Sequence, residues 1–81
     1  MVERIWEQTV DQGTYVCYVE RLSDYTGMLY VERSGEEVMK EPVGLSYRAL
    51  FGPDVADVAE WQERCIEAID ADYAERGEEH P

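Results

Sequence analysis

Positive charge is what this chain has least of: 7 Lys and Arg stand against 19 Asp and Glu, a net charge of −12 over 81 residues. Direct binding to a nucleic-acid backbone or to an anionic membrane needs Lys and Arg to neutralise phosphate, so neither is expected. Histidine is almost as scarce. The single one, His80, sits beside the C-terminus, where no third group can hold an imidazole for Cys–His or Ser–His chemistry. Apolar runs are short, and none approaches the ~20 residues that span a bilayer. The first residues, Met1 to Trp6, lack the apolar segment of a signal peptide, and the expected location is cytoplasmic. Only two cysteines occur, Cys17 and Cys65, far apart and in no C-x-x-C pair. That excludes the dense disulfide framework of a small secreted module and reads as two buried, reduced thiols. The glycine-rich phosphate loops, the dinucleotide fingerprint, the H-E-x-x-H zinc motif and the calcium loop are all missing.

What remains is a chain rich enough to fold. At 44% hydrophobic and 11% aromatic residues it has the apolar side chains that a disordered acidic tail lacks. Its length allows one domain, and a domain this small buries only about 60% of its unfolded surface.

Four segments carry strand signals. Val2 to Val10 precedes a turn at Asp11-Gln12-Gly13, and Thr14 to Leu22 is dense in β-branched and aromatic residues. Ser23 to Gly27 makes a second turn. Met28 to Arg33 follows, then a Ser34-Gly35 turn and a short strand over Glu36 to Lys40. Pro42 is expected to end that run because it cannot donate to a ladder. Residues 43–51 read either as a last strand or as an irregular crossing. After Gly52-Pro53-Asp54, a helix-start pattern, the apolar positions Val58, Trp61, Cys65, Ile66, Ile69 and Tyr73 recur at steps of three and four. They form one stripe of an amphipathic helix that closes at Arg76-Gly77. The expected fold class is α+β: an antiparallel sheet of three to four strands followed by one C-terminal amphipathic helix. Residues 1–77 form the single domain and 78–81 a frayed tail.

One helix covers one face of a sheet. Tyr15, Cys17 and Val19 point one way from their strand, while Val16, Tyr18 and Leu22 point the other. Two covers for this second face are open: residues 43–51 folding over it, or a second copy of the chain forming a homodimer through Val16, Tyr18 and Leu22.

The acidic residues are unevenly placed. Residues 53–81 hold ten of the nineteen, with only two of the seven basic residues. On the expected helix Asp57, Glu60, Glu63, Glu67 and Asp70 recur at three- and four-residue steps and form a carboxylate ridge. Like charges at these spacings cost a few tenths of a kcal/mol per pair, which Arg64, four residues after Glu60, partly relieves. Three readings fit the ridge: a solvated, solubilising face, a docking surface for a basic protein, or adaptation to a saline cytoplasm. Asp54, Asp57 and Glu60 lie near one another at the helix start, but side chains from one helix rarely converge on a hard cation. No metal, cofactor or catalytic residue is expected, and the chain does not read as an enzyme. Trp61 belongs to the core stripe. A tyrosine-bearing sheet face could stack bases, but without cations it suits a protein contact better. The functional expectation is a small acidic protein-interaction module that docks on a basic protein surface, as an inhibitor or nucleic-acid mimic would. The alternative is a housekeeping oligomerisation domain that works through its aromatic sheet face, with acidity serving only solubility or salt adaptation.

Overall fold

Alternating side chains and short polar turns dictate a meander. In the computed structural model, which describes residues 2–46 and 52–78, four strands run in sequence: β1 (Glu3–Val10), β2 (Tyr15–Arg21), β3 (Thr26–Arg33) and β4 (Glu36–Gly44). The sheet order is β1-β2-β3-β4 and every pairing is antiparallel. One helix, α1 (Val55–Glu75), follows. The α+β class, with four strands, is the one the sequence implies.

The turns have local causes. Asp11, Gln12 and Gly13 all take positive φ, as do Ser34 and Gly35. Ser34-Gly35 is thus a two-residue hairpin turn whose handedness matches the strand twist. Gly27, expected in a turn, instead lies inside β3 and is buried. A Cβ there would sit 3.1 Å from both the Glu20 carbonyl oxygen and a Val19 methyl, so this position needs a residue without one.

The expected stop at Pro42 is corrected. β4 continues through it to Gly44, because β4 is an edge strand and a proline there removes no ladder bond when its nitrogen faces outward. Two irregularities of register, at Arg4/Trp6 and at Val31/Glu32, each add one residue to an edge strand, Ile5 in β1 and Val38 in β4. Such bulges break strict alternation. In consequence Ile5 and Trp6, and Val38 and Met39, are consecutive pairs that all pack against the core.

The core lies between the sheet and α1. Tyr15, Cys17, Val19, Leu29 and Val31 line the sheet side, and Trp61, Cys65, Ile69 and Tyr73 face them from the helix. Burial of each large apolar side chain contributes about 1.5–3 kcal/mol. The described part of the 43–51 segment joins this side too, with Val43 and Leu45 buried and the Leu45 N–H donating to the Tyr25 carbonyl at 2.8 Å. It therefore does not cover the second sheet face; residues 47–51 lie outside the described residues. Ile66, expected on the buried stripe, is half exposed, since it lies on the flank that turns away from the sheet.

Both ends of α1 are closed by specific groups. Asp54 caps the start, its carboxylate accepting from the Ala56 N–H at 2.9 Å. At the other end the Gly77 N–H reaches the Ala74 carbonyl and the Glu78 N–H reaches the Tyr73 carbonyl, with Gly77 at φ 71°. This pair of bonds is a Schellman closure. It holds Glu78, the first residue of the expected tail; residues 79–81, including His80, lie outside the described residues.

Candidate interaction surfaces

With Trp61, Cys65 and Ile69 turned to the sheet, 3.6 residues per turn fix where the acidic residues go. Glu60, Glu63, Glu67 and Asp70 are all exposed and project from the side opposite the core. Asp57, the fifth expected member, is half-buried and turns toward the loop after β4, where its carboxylate accepts the Ser46 N–H at 2.9 Å. Its position reflects a fold contact. Arg64 clasps one end of the ridge, 3.1 Å from Glu60 and 3.3 Å from Glu41 on β4. Exposed pairs of this kind contribute no more than about 1 kcal/mol, so the clasp leaves the ridge strongly anionic.

Beside the ridge runs a groove of about 400 Å³ between β4 and α1. Val38, Met39, Ala68 and Ala71 give it an apolar lining, and Glu41, Glu67, Asp72 and Glu75 line it together with the Arg64 side chain. Glu67 belongs to both ridge and groove. The arrangement can accommodate a side chain with an aliphatic stem and a cationic head.

A polar cluster ties the far end of α1 to the sheet. The Tyr15 hydroxyl donates to Asp72 Oδ2 at 2.6 Å, Arg76 Nε donates to the same oxygen at 2.9 Å, and Arg33 Nη1 donates to the Tyr15 hydroxyl at 2.8 Å. Arg33 also lies 3.6 Å from Asp72 and 3.4 Å from Glu78. Alongside, the Tyr73 hydroxyl donates to Asp11 in the β1–β2 turn at 2.9 Å, and the Tyr15 and Tyr73 rings meet edge to face at 5.4 Å. The hydrogen bond from Tyr15, with Arg76 and Arg33 adding charge, holds the Asp72 carboxyl below its ordinary range. Burial, then the hydrogen bond to Asp72, pushes the Tyr15 phenol up. Burial and the bond to Asp11 push Tyr73 up to about 12. Through these bonds the cluster fastens α1 to β2, β3 and the β1–β2 turn.

The second sheet face carries its own cover. The Tyr18 and Tyr30 rings stack at 4.8 Å, Arg4 lies over Tyr18 at 3.8 Å, and Lys40 approaches Tyr30 at 5.6 Å. The Tyr18 hydroxyl donates to Glu32 at 2.6 Å. This row of cations and rings leaves Tyr18 only 7% exposed. Val16 is half-buried near the start of β2, while Leu22 is exposed in the turn beyond its end. Of the three expected dimer-face residues, Val16 and Tyr18 lie on this face of β2 and Leu22 lies beyond the strand.

Sequence reasoning put five residues on the ridge, of which four stand together on the exposed side of α1 and Asp57 does not, and it missed Asp72. The signal was present: Asp72 falls three residues after Ile69, on the apolar stripe, and four before Arg76. Among the described residues no three His, Cys, Asp or Glu side chains converge where they could hold a metal ion, and no helix is long and apolar enough to cross a membrane. Comparison with protein families, curated proteins and solved structures finds no match to this chain, and its surfaces are left to speak through their own chemistry.

Proposed function

We propose that this protein is an acidic interaction module whose α1 ridge, formed by Glu60, Glu63, Glu67 and Asp70, docks on a basic protein surface, in the manner of an inhibitor or nucleic-acid mimic. The supporting observation is rigid presentation: these four carboxylates are exposed on one side of a helix whose other side is buried and whose ends are both capped. At 1.5 Å of rise per residue, steps of three to four residues separate the carboxylates by about 5 Å along the axis. That is of the same order as the 3.4 Å rise per phosphate on one nucleic-acid strand. A ridge held in place loses little conformational freedom on binding, and a complementary field speeds encounter. The groove beside it offers Glu67 and Glu75 to the head of an Arg or Lys whose stem lies on Ala68 and Ala71.

The competing reading, an oligomerisation domain using the aromatic sheet face, has weaker support because Arg4 and Tyr30 already cover Tyr18. The two part in one experiment. Immobilised protein is exposed to cell extract at about 0.1 M and about 0.5 M salt, where the screening length falls from about 10 Å to a few ångströms. Retained proteins are identified and cross-links are mapped onto α1. The ridge reading expects basic proteins that leave at high salt and are not retained by the folded Glu60→Lys/Glu63→Lys/Glu67→Lys variant. Retention of the same proteins by that variant at high salt would falsify it. For the sheet face, sedimentation of Tyr18→Glu decides, since an unchanged mass excludes that face as an interface.

A further inference from the structure

The two cysteines, far apart in sequence, meet across the sheet–helix boundary. Cys17 on β2 is 0% exposed and Cys65 on α1 is 2% exposed; both are free thiols, near enough for each to shift the other's titration. Each lies on the inward side of its element for the same reason, that a small thiol packs as an apolar group. Both line one crevice of about 270 Å³, bounded by Trp6, Gln8 and Gln62. The Gln62 side-chain amide donates to Gln8 at 2.8 Å, bridging α1 to β1 beside it. Cys17 is closed to solvent and Cys65 all but closed, so a reagent reaches them only when the contacts that bound the crevice part.

From this juxtaposition we propose that Cys17 and Cys65 form an oxidation site, closing into a disulfide that staples α1 to β2 when a small peroxide enters the crevice. A thiolate is the nucleophile in such chemistry. The neighbouring Cys65 thiol eases removal of the first proton from Cys17, whereas the neighbouring sulfur and burial oppose removal of a proton from Cys65. The Cys17 sulfur attacks one peroxide oxygen, the O–O bond breaks, and Cys17 becomes a sulfenic acid as hydroxide leaves and takes a proton to form water. The Cys65 sulfur then attacks the Cys17 sulfur, the S–O bond breaks, and a second water departs with the Cys65 proton. Two thiols and one hydrogen peroxide thus give one disulfide and two waters. Closure brings the two sulfurs to a bond of about 2.05 Å. The inference is independent of the docking role, because it concerns what holds α1 and not what α1 binds.

The experiment treats reduced, native protein with hydrogen peroxide, quenches it, alkylates remaining thiols after denaturation, and digests with trypsin. The expected product is the peptide of residues 5–21 joined to that of residues 65–76, lighter by two hydrogens than the two reduced peptides together and separated again by reductant. The oxidised protein should also melt at a higher temperature than the reduced one, and the same treatment in denaturing urea should form the link more slowly. Cys17→Ala and Cys65→Ala should each abolish the link. The wild-type digest stands alone if either variant fails to fold. Full alkylation of both thiols after peroxide, oxygen added to either sulfur without a link, a link between two molecules, or equal rates with and without urea would each overturn the proposal.

Discussion

Asp72 is the one charged residue buried in the core side among those described, and three groups converge on it: the Tyr15 hydroxyl and the Arg76 and Arg33 guanidiniums. Removing its charge leaves these groups underpaired in partly desolvated surroundings, which costs about 1–2 kcal/mol. The pH dependence follows from the direction of its shift. Its folded pKa lies below the ordinary carboxyl value of 3.8, so its stabilisation is present above that pH and is lost as pH falls through the folded value. The unfolding free-energy difference between wild type and Asp72→Asn, from urea titrations, should hold constant near neutrality and shrink below about pH 4. A difference that stays constant to pH 2 would remove Asp72 from this role. Tyr73 behaves oppositely: its pKa is raised from 10.0 to about 12. Its contribution is present below about pH 10 and fades as pH rises toward the folded value, so the gap to Tyr73→Phe should close there.

Among the elements, α1 depends on its first-turn cap. Asp54 accepts from the Ala56 N–H while Asp57, one turn on, is occupied by Ser46. Asp54→Ala should therefore cost about 1 kcal/mol by chemical denaturation, with no cap from Asp57 to replace it. An unchanged midpoint would show that the cap is dispensable. The helix and its start were legible in the sequence because apolar residues at steps of three and four, a proline and an acidic cap all point the same way. The hairpin turns were legible through Gly13 and Gly35. The extension of β4 through Pro42 was not, since a proline reads as a stop unless the strand is known to lie at an edge, which is a property of the sheet. The bulges at Ile5 and Val38 were hidden for a similar reason: they are defined by the partner strand's register. Of the candidate site, the ridge could be read from periodicity alone. That Asp57 departs from it depends on where the loop before α1 runs, and the meeting of Cys17 with Cys65 depends on how helix and sheet pack.

For the whole molecule, a net charge of −12 makes the folded state repel itself. Stability should therefore rise by about 1 kcal/mol between 0.05 and 1 M sodium chloride, as screening shortens from about 14 Å to 3 Å. In Glu63→Gln/Glu67→Gln, which removes the three like-charge pairs Glu60/Glu63, Glu63/Glu67 and Glu67/Asp70, that rise should be smaller by several tenths of a kcal/mol. Denaturation curves at several salt concentrations measure both. A wild-type stability indifferent to salt would mean that the anionic side of α1 places no strain on the fold, and would leave its charge without an energetic cost for a partner to relieve.

Strand neighbours in this sheet are also neighbours in the chain, and that is the order in which a ribosome delivers them. Each hairpin can close as it emerges, with little loop entropy to overcome. The helix that follows the meander carries Trp61, Cys65 and Ile69, so the nascent sheet waits with its oily side bare until α1 arrives to roof it. Any truncation before α1 would leave that side permanently uncovered, and such fragments should clump and not persist as small folded pieces.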